Sequence, residues 1–136
     1  KMIEMIKKKA KENLAIFGTC AGSIMLSKSS TDNVVKEFKQ EILELMDIDV
    51  IRNKYGRQQD SFEKSLTIES IGKKPFPGVF IRAPIIKKAG KDVTIIAQNA
   101  NEIYAAKQGK FLAVTFHPEL TDDTRFHELF LDMILS

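Results

Sequence analysis

The chain has little of what several function classes need. It holds one cysteine, so no internal disulfide can form, and a single free thiol suits a reducing compartment. Its two histidines, His117 and His127, make no metal-ligand pattern with that cysteine at these separations. The seven glycines never fall into the spacing of a phosphate-binding loop. No apolar run approaches the roughly 20 residues of a membrane helix, and no signal peptide is visible. Charge of one sign is not in excess either. The 21 Lys and Arg stand against 18 Asp and Glu, and a net +3 is too even to imply a nucleic-acid partner. The densest basic stretch, Lys7, Lys8, Lys9 and Lys11, reads as the wet face of an amphipathic helix. Neither metal, cofactor, nucleic acid nor membrane is therefore expected, and the expected location is the cytoplasm.

What is present fits one globular domain. Apolar residues make up 43% and charged residues 29%, and 136 residues bury a core without a disulfide or metal staple. The chain opens at Lys1 rather than Met, so its natural start is expected upstream and targeting stays open from this end.

Met2, Ile3, Ile6 and Ala10 recur at helical spacing, and Asn13 is placed to end that helix. Residues 14–17 have strand length, 18–22 form a tight turn, and a helix begins at 23–26. The polar stretch 28–33 reads as a loop. Val34, Val35, Phe38, Ile42, Leu45 and Met46 follow the helical period again. Strands are expected at 48–51, 62–68, 79–83, 93–97, 103–107 and 111–116, with a polar loop at 53–60 and turns at 72–78, 99–101 and 108–110. A closing helix, capped by Thr121 or Asp122, presents Phe126, Leu129, Phe130 and Met133. Early alternation of helices and strands, then strands in succession, predicts an α/β domain with a mixed sheet.

Gly18-Thr19-Cys20-Ala21-Gly22, between an expected strand and helix, has the form of a nucleophile elbow. Such a turn strains the nucleophile's backbone, and small residues on either side relieve the crowding. A helix N-terminus behind the thiol favours the thiolate, and the Ala21 N–H is placed to bind an oxyanion. An arbitrary cysteine is far more often a buried structural thiol; the strand, turn and helix around Cys20 bring the two readings close to even. His117-Pro118-Glu119 follows an expected strand end, where α/β enzymes place their sites. In extended chain, residues two apart point the same way, so Glu119 could fix the His117 imidazole. Alone, this tripeptide is more often an ordinary surface loop. A cysteine at an elbow, with a later His and carboxylate, is the constellation of nucleophilic acyl transfer. His127, on the expected last helix, reads as a surface side chain.

Several blocks resemble the glutaminase subunit of pyridoxal 5′-phosphate synthase, a triad (class I) glutamine amidotransferase. They are Phe17-Gly18-Thr19-Cys20-Ala21-Gly22, Gly56-Arg57-Gln58, Asp60-Ser61-Phe62-Glu63, Val79-Phe80-Ile81-Arg82-Ala83-Pro84, Ala105-Ala106-Lys107-Gln108-Gly109 and Phe116-His117-Pro118-Glu119-Leu120-Thr121-Asp122-Asp123. The elbow and the His-Pro-Glu are shared by many amidotransferases; the Gly-Arg-Gln, Phe-Ile-Arg-Ala-Pro and Glu-Leu-Thr-Asp-Asp blocks are more specific. The resemblance implies a three-layer α/β/α, flavodoxin-like fold with a mixed sheet. It implies hydrolysis of L-glutamine to glutamate and ammonia, and delivery of that ammonia to a barrel-shaped synthase subunit in a hetero-oligomer. By position it makes Cys20, His117 and Glu119 the triad, and sets Arg52, Ile81 and Arg82 around the glutamine. Members of that family carry, upstream of the first helix found here, a strand and a Gly-Gly-Glu-Ser segment that completes the oxyanion hole. The expectation is therefore a single glutaminase domain over 1–136, incomplete at its N-terminus, with the strand at 14–17 left at an open sheet edge. Two rivals stand beside this reading: a non-catalytic amidotransferase-like module that only docks a synthase, and a class I glutaminase serving another pathway.

Overall fold

The computed structural model describes residues 1–32, 41–52 and 61–136. The chain runs through helix α1 (Met2–Lys11), strand β1 (Ile16–Thr19), helix α2 (Ala21–Leu26) and strands β2 (Ser29–Asp32), β3 (Ile48–Arg52), β4 (Ser61–Leu66), β5 (Phe76–Ile81), β6 (Ile85–Ala89), β7 (Thr94–Asn99), β8 (Glu102–Gln108) and β9 (Phe111–Val114), and closes with helix α3 (Arg125–Leu135). Asn13, with φ 92°, turns the chain out of α1 towards β1.

The main sheet has the order β1-β9-β8-β6-β3-β2, with β7 also paired to β8. It is mixed: β1 runs parallel to β9 and β2 parallel to β3, while β6, β7 and β8 pair antiparallel. β4 and β5 form a separate antiparallel hairpin. Alternation along β9 sends Leu112 and Val114 to one face and Ala113 to the other. Leu112, Val114 and, just beyond the strand, Phe116 join Phe76, Phe80, Tyr104, Phe126 and Met133, so α3 and the hairpin cover that face. Ala113 joins Ile24, Leu26, Ile48, Val50 and Ile86, against which Ile3 and Ile6 of α1 pack. Helices on one side, sheet between, and a helix with a hairpin on the other give the three-layer α/β/α arrangement. Phe116 and Phe126 are fully buried and meet edge-on at 5.2 Å. Truncating either costs about 3–5 kcal/mol.

Three sequence expectations fail here for physical reasons. The polar stretch expected as a loop contains β2, a sheet-edge strand held by backbone pairing to β3, so it needs no apolar alternation. Of the helix expected over 34–46, residues 34–40 lie outside the described residues, and 41–45 are not helical. Leu43 N–H donates to the Met25 carbonyl at 2.6 Å and Leu45 N–H to Leu26 at 3.1 Å. Leu43 and Met46 are buried, so this stretch contributes to the core without helical structure. β6 has no counterpart among the expected strands. Its two lysines, Lys87 and Lys88, are exposed beyond the buried pair Ile85 and Ile86, which hides the strand pattern. The loop expected at 53–60 lies outside the described residues.

Candidate active site

Parallel pairing brings two strand ends to one rim. Thr19 is in register with Val114, and the Cys20 N–H donates to the Val114 carbonyl at 2.9 Å. Cys20 therefore leaves β1 where β9 leads on to His117. The elbow is present: Cys20 has φ 50° and ψ −109° and caps α2. A non-glycine residue in that region is strained, and such strain concentrates at functional sites. Gly18 makes the turn possible, because a Cβ there would lie 2.6 Å from the Gly22 carbonyl oxygen and 2.8 Å from Leu26 Cδ1. Gly22 is not required sterically, since a Cβ at that position meets nothing within 4 Å. Ser23, fully buried, donates its hydroxyl to the Cys20 carbonyl at 2.6 Å and ties the elbow from below.

The Cys20 thiol reaches the Ile81 carbonyl at 3.5 Å. Burial pushes the thiol above its ordinary range, the Ala21 N–H pulls it down, and the Glu119 charge pushes it up again; the net shift is upward. The expected thiolate-stabilising helix terminus is thus outweighed. The helix behind Cys20 has only six residues, and desolvation of the sulfur dominates.

His117 and Glu119 meet, though not through an extended chain. Residues Pro118–Leu120 form a 3₁₀ turn that His117 caps. The turn brings Glu119 Oε2 to 2.7 Å from His117 Nδ1. A carboxylate only accepts, so Nδ1 carries the proton and Nε2 is left with its lone pair. Burial alone would raise the Glu119 carboxyl. The bond from His117 and a backbone N–H outweigh it and leave the carboxyl lowered. The His117 backbone N–H donates to the Val79 carbonyl at 2.8 Å, fastening this segment to β5.

Ile81 ends β5 beside Cys20, and Arg82 follows it with φ 48°, exposed at the same rim. Arg52 ends β3, four strands from β1, roughly 19 Å across the sheet at 4.8 Å per strand. Its strand does not bring it beside Cys20. The Gly-Arg-Gln block lies outside the described residues. No group of three or more metal-ligating side chains occurs among the described residues. The closing helix starts at Arg125, after the cap at Thr124, because residues 118–124 are taken up by the 3₁₀ turn and by bonds from the Thr121 and Asp123 side chains. Sequence reasoning gives no role to His127, Asp123 or Arg125. His127 is exposed, as expected, and its ring meets Phe17 of β1 edge-on at 5.6 Å. Asp123 and Arg125 form an ion pair at 2.6 Å.

A strained cysteine elbow and a histidine–carboxylate pair at one rim of a mixed three-layer sheet are the marks of a glutamine amidotransferase. The chain belongs to the SNO glutamine amidotransferase family, whose model matches residues 1–136. It is 47% identical over 133 residues to the pyridoxal 5′-phosphate synthase subunit PdxT of Thermotoga neapolitana, covering 98% of this chain and 68% of that relative. The PdxT of Herpetosiphon aurantiacus is 50% identical, with coverages of 97% and 69%. A crystal structure of a glutamine amidotransferase superposes with a TM-score of 0.84 at 41% identity, covering 98% of this chain and 68% of that one. The crystal structure of a glutamine amidotransferase from Thermotoga maritima gives 0.54 at 16% identity, covering 98% of this chain and 54% of that one; this likeness is one of fold alone.

Proposed function

We propose that this chain is the glutaminase of a pyridoxal 5′-phosphate synthase, with Cys20 as nucleophile, His117 as general base and acid, and Glu119 as the group that orients and charges the imidazole. The 2.7 Å contact between His117 and Glu119, with the strained Cys20 at the same rim, carries the reading. The relatives' names support vitamin B6 coenzyme synthesis over another glutamine-using pathway.

Because burial keeps the thiol protonated at rest, its proton passes to His117 Nε2 as the sulfur attacks. The sulfur bonds to the side-chain amide carbon of L-glutamine, and the carbonyl oxygen becomes an oxyanion facing the Ala21 N–H. The carbon–nitrogen bond then breaks, His117 returns the proton to the leaving nitrogen, and ammonia departs from a glutamyl thioester. Water gives a proton to His117 and adds to the thioester. The carbon–sulfur bond breaks, the sulfur recovers the proton, and glutamate leaves. Glu119 stabilises the imidazolium formed in both halves. Ile81 and Arg82 stand beside the nucleophile to receive the glutamine; Arg52 is assigned that role by its motif alone. The ammonia goes to the synthase subunit, with which the glutaminase forms a hetero-oligomer. A cytoplasmic location is part of this reading; no helix among the described residues is long and apolar enough to cross a membrane.

Ammonia release from glutamine by the natural full-length protein with its synthase partner tests the reading. His117→Asn abolishes turnover, since this residue moves protons in both half-reactions. Glu119→Gln leaves a measurable remnant, since the carboxylate only orients and charges the ring. Wild-type turnover in His117→Asn removes the residue from the mechanism; no ammonia release from the wild-type protein with its synthase favours the docking-module rival.

A further inference from the structure

One side chain outside the triad spends its whole hydrogen-bonding capacity between the two segments that carry the site. A guanidinium has five N–H groups. The Arg125 Nε–H lies 2.9 and 3.1 Å from the two Asp123 carboxylate oxygens. Nη2 donates to Asp123 Oδ2 at 2.6 Å and to the Pro75 carbonyl at 3.1 Å. Nη1 donates to the Lys74 carbonyl at 2.7 Å and the Ile71 carbonyl at 3.2 Å. Every donor is used, and three of the acceptors lie 50 or more residues away in the sequence. The guanidinium also sits 5.7 Å from the Phe76 ring. The pair is largely shielded, with side chains 20% and 12% exposed.

Both ends of this clamp lead to the site. Lys74 and Pro75 immediately precede β5, whose Val79 carbonyl holds the His117 N–H and whose Ile81 carbonyl receives the Cys20 thiol. On the other side, the Arg125 N–H donates to Asp123 Oδ1 at 3.1 Å and the Asp123 N–H to Thr121 Oγ1 at 3.2 Å. The Thr121 hydroxyl and N–H both donate to the Pro118 carbonyl, which lies between His117 and Glu119. A lysine here keeps a charge for Asp123 but, as a single point with three donors, cannot span the three carbonyls.

We propose that Arg125, oriented by Asp123, is a positioning residue for the glutaminase reaction: it locks the turn bearing His117 and Glu119 to the strand that faces Cys20. The inference rests on the triad reading above. It makes the Asp123-x-Arg125 spacing part of the machinery rather than a surface ion pair, which would be worth little.

The test uses the natural full-length protein with its synthase, comparing wild type, Arg125→Lys, Arg125→Ala and a His117→Asn control. Arg125→Lys stays folded and loses roughly 10- to 100-fold in kcat with a smaller change in KM, because a small displacement of positioned groups costs that much. Arg125→Ala loses at least as much, and added guanidinium ion restores part of the kcat while ethylammonium does not. In both variants the Glu119 carboxyl, followed by carbon-13 NMR, titrates closer to the ordinary glutamate value, since its bond from His117 loosens. Folded Arg125 variants with wild-type kcat beside an inactive His117→Asn overturn the clamp and leave the triad standing. Activity that falls only in proportion to folded protein, with no guanidinium rescue and an unmoved Glu119 titration, reduces Arg125 to a structural staple and also overturns it. Full turnover in His117→Asn removes the triad reading and this inference together.

Discussion

At Cys20 two effects oppose each other, and the sequence displays only one of them. Gly-x-Cys-x-Gly announces the elbow and its strained backbone, which the φ of 50° bears out. It does not announce how deeply the sulfur is desolvated, since that depends on packing from β5, some 60 residues away. Burial wins over the Ala21 N–H, and the thiol is raised rather than lowered. For a group raised on folding, the protonated form persists to higher pH than in the unfolded chain. Alkylation of Cys20 by a neutral electrophile should therefore rise with a midpoint above that of an ordinary cysteine thiol. Stopped-time labelling across a pH series measures it, and a midpoint below the ordinary value contradicts the balance of effects. Arg125 is illegible in the sequence for a related reason: its acceptors at residues 71, 74 and 75 are backbone carbonyls, which carry no sequence signal.

Among the elements, the order strand, turn, helix around Cys20 is readable because its logic is local, though the strand lies at Ile16–Thr19 rather than 14–17 and the helix starts at Ala21 rather than 23, which leaves Cys20 alone as the turn. β9 and the His-Pro-Glu after it are readable for the same reason. The failures are elements defined by distant partners. β2 is polar and exists through pairing with β3, while β6 has one apolar pair and two exposed lysines and exists through β3 and β8. The close approach within the elbow gives a prediction at this scale. Gly18→Ala forces a methyl group against the Gly22 carbonyl at 2.6 Å, backbone that cannot swing away. Overpacking of this kind costs about 1–3 kcal/mol, and the displaced elbow should also lose glutaminase activity. A lowered denaturation midpoint with reduced turnover is expected; an unchanged midpoint means that β1 and α2 separate more easily than their packing implies. Gly22→Ala, with open space around it, is the milder comparison.

For the whole molecule, the family, the three-layer fold and the sequence motifs agree on one chemistry, and the chain spans about two thirds of the length of the curated relatives it matches. Among the described residues β1 lies at one end of the sheet order with β9 as its only partner, so the strand leading to Cys20 borders the sheet. The proposed reaction passes through one atom, the sulfur of Cys20. Peptide mass spectrometry after treatment with a diazo-ketone analogue of glutamine therefore tests the account most directly. It predicts a single stable adduct on Cys20, formed with loss of dinitrogen, suppressed by excess L-glutamine and absent from Cys20→Ala. An adduct on another side chain with Cys20 unmodified, or undiminished ammonia release from Cys20→Ala, would contradict it.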